Sequence, residues 1–196
     1  MLIKKVINPT LSFSYGTMSC GKSTTLLQLN FSLREMGFTP LLAKPRIDTR
    51  TLSTIKSRIG LEEDCLLLPD DDFLDIIENH THILVDEAQF LDKEQILQLQ
   101  RIVDVYEKEV HCFGLRTSYT GELFEGSSVL FAIADNLVEL PLIYKDGHKT
   151  IMHIRYVDGK PIFDGDPIHV GDIDEDYESV SRKQYFRVKE GISCLQ

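Results

Sequence analysis

The sequence predicts an α/β fold: a largely parallel sheet with helices on both faces, followed by a small β-rich lobe. Three observations carry that expectation. Up to residue 140, short β-rich runs alternate with helical patterns, which requires crossover connections and therefore parallel strands. The first strand runs directly into a glycine-bounded turn that opens a helix. After Pro141 the pattern changes to strand-like segments separated by two hairpin signals, Lys145-Asp146-Gly147 and Asp158-Gly159-Lys160, with no long helix. The expected division is residues 1–140, 141–187 and a tail at 188–196.

Taken in order, Leu11-Ser12-Phe13-Ser14-Tyr15 alternates as a strand does. From Ser23 to Met36, Leu26, Leu29, Leu33 and Met36 recur at helical spacing, and Gly37 is a natural stop. Leu41-Leu42-Ala43, Cys65-Leu66-Leu67-Leu68 and Ile83-Leu84-Val85 read as buried strands. Pro69-Asp70-Asp71-Asp72 forms a turn and cap before Phe73 to Glu78. Asp92-Lys93-Glu94-Gln95 has capping-box spacing in front of Ile96, Leu99 and Val103. Val110 to Leu115 is a further strand, and Ser127 to Ala134 a short helix.

Composition narrows the function. The 196 residues are 42% apolar and 27% charged, the balance of a globular protein, and the net charge is −10. An acidic chain lacks the basic surface that a nucleic-acid polymer requires, whereas a small anionic ligand needs only a local positive pocket. The longest apolar run, Val129 to Ala134, is far too short for a bilayer, and Met1 to Pro9 has no secretory pattern. Cys20, Cys65, Cys112 and Cys194 are scattered, so no disulfide framework or cysteine zinc site is expected and a cytoplasmic setting fits.

Gly16-Thr17-Met18-Ser19-Cys20-Gly21-Lys22-Ser23 matches G-x-x-x-x-G-K-[S/T] at every fixed position, between a strand and a helix. Backbone N–H groups of such a loop surround phosphate oxygens, and the helix N-terminus adds partial positive charge. Lys22 would reach the outer phosphates and Ser23 would offer its hydroxyl to Mg²⁺. Asp86 and Glu87 end the strand Ile83-Leu84-Val85, where one carboxylate would hold the metal's hydration shell and the other accept a proton. In Lys44-Pro45-Arg46-Ile47-Asp48-Thr49-Arg50, Asp48 adds a carboxylate for the metal shell and Arg50 a guanidinium for phosphate.

The order of these motifs, continued by Asp86-Glu87-Ala88-Gln89-Phe90 and Gly114-Leu115-Arg116-Thr117, resembles the P-loop thymidine kinases of cellular and phage type. Gly121 to Ser127, Ala134 to Leu140 and Tyr177 to Tyr185 extend the likeness over nearly the whole chain. The resemblance implies transfer of the γ-phosphate of ATP to the 5′-hydroxyl of thymidine, and of deoxyuridine too. It makes Glu87 the catalytic base, with Lys22 and Arg50 as its catalytic partners. ATP would be held by Gly16, Thr17, Met18, Ser19, Cys20, Gly21, Lys22, Ser23 and Thr24, and by Asp86, Glu87, Ala88 and Gln89. Mg²⁺ would sit on Ser23, Asp48 and Asp86. Met18, Phe90, Leu115, Tyr119 and Phe124 would line the nucleoside pocket, and Arg155 would neutralise phosphate charge. The family's lasso maps to Pro167, Ile168, His169, Val170 and Gly171, with Tyr177 closing the site. A homotetramer or homodimer inhibited by thymidine triphosphate is also implied.

Two departures stand out. Family positions that carry a structural zinc are here Tyr144, Asp146, Ser181 and Gln184, with no thiolate or imidazole, so no zinc is expected. The lobe must then find stability elsewhere, in packing around Tyr144 and Tyr185; a rebuilt metal site from Asp146, His148, His153 or His169 is less expected than a solvated polar face. Secondly, Ser118-Tyr119-Thr120 replaces the family's Asp-Phe-Arg, removing two charges from one face of a segment expected to be extended. Two other readings compete: a nucleotide-binding regulatory homologue weak in catalysis, and a fragmentary Asp-Glu-box ATPase. The intact carboxylates oppose the first; length and acidity oppose the second.

Overall fold

A computed structural model describes residues 6–47, 53–166 and 177–192. β1 (Leu11–Gly16) leads into α1 (Lys22–Glu35), and β2 (Pro40–Pro45) is followed by a hairpin of β3 (Thr54–Lys56) and β4 (Glu62–Asp64). β5 (Leu66–Leu68), β6 (His82–Val85), α2 (Lys93–Asp104), β7 (Glu109–Leu115), α3 (Glu125–Ile133) and β8 (Asn136–Glu139) follow. The chain continues through β9 (Thr150–Val157), β10 (Lys160–Ile162), β11 (Tyr177–Ser181) and α4 (Arg182–Lys189).

Six strands form one sheet in the order β5-β2-β6-β7-β1-β8, and every neighbouring pair is parallel. Side chains of a strand alternate between faces, and here the alternation separates two cores. Leu42, Leu84 and Phe113 pack with Leu26, Leu27 and Leu33 of α1. Their strand neighbours Ala43, Ile83, Val85 and Cys112 pack with Ile96, Leu99 and Ile102 of α2 and Leu130 of α3. Helices on both faces of a parallel sheet are what the alternating pattern predicts, so the α/β class holds. Burial of each such side chain stabilises by about 1.5–3 kcal/mol.

Helix ends follow local chemistry. Asp92 accepts from the Gln95 amide while the Gln95 side chain accepts from the Asp92 amide, the predicted capping box. The start of α1 differs: its N-cap is Gly21 at φ 90°, with no side-chain acceptor and no acidic residue in the first turn. No side chain at the N-cap satisfies its first N–H groups.

Beyond this sheet, β9 pairs antiparallel with β10 and β11. Several elements escaped the sequence pattern. α4 buries only Tyr185, so it carries no apolar stripe; Ser181 caps it by accepting from the Gln184 amide. In the β3–β4 hairpin, all three residues of β4 are exposed acids, and Ile55 alone anchors β3 in the core. β8 is an edge strand with Leu137 and Val138 exposed. The segment Phe73 to Glu78 holds only a short 3-10 turn, Leu74–Ile77. Ser118 to Gly121 is a turn closed by the Gly121 amide on the Ser118 carbonyl, not an extended segment, and the Ser118 and Thr120 hydroxyls bond each other at 2.7 Å.

Candidate active site

Parallel register brings the ends of β1, β2, β6 and β7 to one edge, with Gly16 beside Leu115 and Ala43 beside Val85. The glycine-rich loop leaves that edge after β1. Its Lys22 is buried, and the ammonium donates to the Thr17 carbonyl at 2.8 Å. Ser23 Oγ donates to Asp86 Oδ2 at 2.8 Å, tying the loop to the end of β6.

Burial, reinforced by the neighbouring Glu87 charge, pushes the Asp86 carboxyl up to about 7, against the pull of the Ser23 hydrogen bond and Lys22. A divalent cation would add opposite charge beside this buried carboxylate, beyond that of Lys22, and favour its ionised form. Ser23 and Asp86 together are hard oxygen donors of the kind Mg²⁺ takes, so the residues present fit that ion.

Glu87 occupies a left-handed backbone conformation, φ 52° and ψ 35°. A non-glycine residue held there costs of order 1–3 kcal/mol and persists only when its surroundings over-determine it. The surroundings are visible. Its amide donates to Asp86 Oδ1 at 3.1 Å, and its carboxylate Oε2 accepts from Gln89 Nε2 at 2.5 Å. Gln89 is fixed in turn, because its Oε1 accepts from the Leu115 amide at 2.9 Å. That approach requires a glycine on β7: a Cβ at Gly114 would lie 2.9 Å from Gln89 Oε1.

A cavity of about 290 Å³ opens over this edge. Met18, Ser19, Gly21, Lys22, Ser23, Thr24 and Glu87 line one part, and Phe90, Leu115, Tyr119, Phe124 and Tyr177 another. Phe90 and Phe124 meet edge to face with centroids 5.6 Å apart, and Tyr119 and Tyr177 do so at 6.2 Å. Phosphate-type and flat apolar walls thus share one space. Gly16, Thr17, Cys20, Asp86, Ala88 and Gln89 do not line it; Thr17, Asp86, Ala88 and Gln89 are buried. Arg155 also stands apart from the lining, with its guanidinium over the Tyr119 ring at 5.5 Å. Asp48, Arg50 and the stretch Pro167, Ile168, His169, Val170 and Gly171 lie outside the described residues.

The cavity is also lined by Lys56, Ser57, Arg58 and Ile59 of the hairpin, which the sequence does not flag, and by Thr117, Ser118 and His153, which it flags only in other roles. The hairpin group had no motif to flag it. His153, expected in a solvated polar face or a rebuilt metal site, is a lone imidazole among apolar neighbours in β9, Ile151-Met152-His153-Ile154, and that pattern is the signal of its burial. It does not face solvent as a polar surface or metal group would: it is buried and bound to backbone.

The positions at which the resemblance implies zinc lie in a polar network. Glu178 accepts from the hydroxyls of Tyr144 at 2.8 Å and Tyr156 at 3.1 Å, and from Lys145 at 3.3 Å. Asp146 accepts from Ser181 Oγ at 2.6 Å and from the His148 amide at 2.9 Å. Hydroxyl, carboxylate and amide groups at Tyr144, Asp146, Ser181 and Gln184 do not fit a thiolate or imidazole zinc site.

Comparison with known proteins identifies the family. A family model described as thymidine kinase matches residues 9–185. The thymidine kinase of Enterobacteria phage T4 is 42% identical over 187 residues, covering 90% of this chain and 95% of its own. That of Photobacterium profundum is 46% identical over 182 residues, 88% of this chain and 94% of its own. Among solved structures, a replication initiator DnaA bound to AMPPCP and single-stranded DNA superposes at TM-score 0.43 with 14% identity. It covers 70% of this chain and 41% of that one, a likeness too slight to carry an inference. The family match and the two close relatives establish that this chain belongs to the thymidine kinase family.

Proposed function

We propose that the protein transfers the γ-phosphoryl group of ATP to the 5′-hydroxyl of thymidine, and of deoxyuridine. The observation that carries this reading is the single cavity in which Lys22, Ser23 and Glu87 meet Phe90, Leu115, Tyr119 and Phe124. A flat base fits between aromatic walls, and the triphosphate fits the loop and the uncapped start of α1. Glu87 takes the proton as the 5′-oxygen bonds to the γ-phosphorus. The bond from that phosphorus to the bridging oxygen breaks, and ADP leaves with the electron pair. Lys22 neutralises charge on the outer phosphates; Ser23, Asp86 and Asp48 would hold Mg²⁺, which would supply further charge neutralisation to the triphosphate. Arg50 and Arg155 add positive charge.

Residues 1–140 form the ATP-binding unit in this reading. Residues 141–187 close over the nucleoside, through Pro167 to Gly171 and Tyr177. Family membership further supports a homotetramer or homodimer and feedback inhibition by thymidine triphosphate. No helix among the described residues is long and apolar enough to cross a membrane; the cytoplasmic setting in this reading rests on the scattered cysteines.

The decisive experiment compares ATP-dependent formation of thymidine monophosphate by wild type and Glu87→Gln. The variant keeps shape and backbone but cannot accept the proton, so turnover should fall by about 10²–10⁴-fold with unchanged melting temperature. A wild type that binds both substrates without turnover would instead be a regulatory homologue.

A further inference from the structure

Three hydrogen bonds join the β9–β11 lobe to the phosphate loop across at least 133 residues of sequence. The Met18 amide donates to His153 Nε2 at 3.0 Å, and the Met18 carbonyl accepts from Ser179 Oγ at 3.0 Å. Next to it, Thr17 Oγ1 and Thr150 Oγ1 lie 2.7 Å apart. Thr150 spends its own proton on the Leu142 carbonyl, so Thr17 is the donor between them. Both polar groups of one loop peptide residue are therefore held from outside the loop.

The protonation state of His153 follows from its partners. An amide N–H only donates, so Nε2 must accept, and the ring proton sits on Nδ1, which faces the Thr117 carbonyl at 3.2 Å. The ring is a neutral bridge from β9 to the loop, and it is 2% exposed. Met18 and His153 both line the cavity, beside Lys22.

We infer that His153 is a positioning residue for the phosphate loop, acting through Met18, and that the small lobe is thereby part of the ATP-binding scaffold. The physical need is clear. In a loop bounded by glycines, with Ser19 at φ 66° and Gly21 at φ 90°, the local bonds from Lys22 Nζ and the Cys20 amide both end on the Thr17 carbonyl and do not orient the Met18 peptide groups. Phosphate affinity depends on that orientation. The lobe supplies the selection by fixing Met18 on both sides. This inference rests on the reading of the loop as the ATP site.

Two near-isosteric substitutions separate bracing from packing. His153→Asn places an amide near the Nδ1 position, where it bonds the Thr117 carbonyl but leaves the Met18 amide unpaired. His153→Gln restores an acceptor at the Nε2 position. Calorimetric titration with MgATP should show affinity roughly 10-fold weaker in H153N and within about threefold of wild type in H153Q. Ser179→Ala, which removes only the carbonyl contact, should weaken affinity by about threefold. Melting temperatures identify any variant that fails to fold, and Ser179→Ala then carries the test. Equal MgATP affinity in wild type, H153N and S179A overturns the inference, as does an equal loss in H153N and H153Q. A wild type that binds MgATP yet makes no thymidine monophosphate overturns the kinase reading and leaves the brace intact.

Discussion

The six-stranded sheet and the small lobe are stabilised in different ways. In the sheet, two large apolar cores on opposite faces fix the strand ends, and the groups proposed for catalysis hang from those ends. In the lobe, the buried apolar cluster is small, built from Met152, Ile154, Val180 and Tyr185. Hydrogen bonds converging on Glu178 and Asp146 surround it where relatives are expected to carry zinc. The contrast teaches that a site residue is only as well placed as the element beneath it. The sheet needs no help to aim Asp86, whereas the lobe must grip the loop and be gripped by it.

The largest expected effect tests whether the small cluster carries the lobe. Tyr185 is 1% exposed, and its hydroxyl donates to the Tyr119 carbonyl at 2.9 Å. Tyr185→Ala should cost the lobe about 3–5 kcal/mol in urea unfolding while the sheet's transition stays put. A loss below about 1 kcal/mol would mean that the polar network alone suffices.

Next in size is a pH effect on the junction between the two regions. Burial, then the Lys22 charge, lowers the His153 imidazole to about 4 from its ordinary 6.5, against the opposing bond to Thr117. Between those values the unfolded chain binds the proton and the folded one does not, so stability falls as pH drops from 6.5 towards 4. Wild type should lose about 2 kcal/mol between pH near neutral and about 5 that H153Q does not lose. Parallel curves would show that His153 titrates alike in the folded and unfolded chain and is not held neutral by burial.

The smallest effect expected is none at all. If hydrogen bonds have replaced the metal, prolonged chelation leaves the melting temperature of the lobe unchanged and metal analysis finds no stoichiometric zinc. A fall on chelation, reversed by zinc, would return the lobe to the metal-held class and erase the contrast drawn with the sheet.

Legibility in the sequence follows the same line. The strands β1, β2, β6 and β7 and the helices α1 and α2 were readable because each buries a periodic set of apolar side chains. The phosphate loop and Asp86-Glu87 were readable because consecutive residues create them. The β3–β4 hairpin, β8 and α4 were not, since each is short, mostly exposed and held by neighbours distant in sequence. The sequence predicts an extended segment at Ser118 to Thr120, but the hydrogen bonds that close a turn there prevail.

By itself the sequence determined the parallel α/β architecture, the phosphate loop and the pair of carboxylates at its edge. Hydrophobic period and a contiguous motif are local properties that survive in any context. Only the tertiary structure decided that Gln89 braces Glu87 against β7 and that Met18 is held by His153 and Ser179. Those contacts depend on where distant backbones come to rest, and a hydrogen bond between residues far apart in the chain leaves no period or spacing to read.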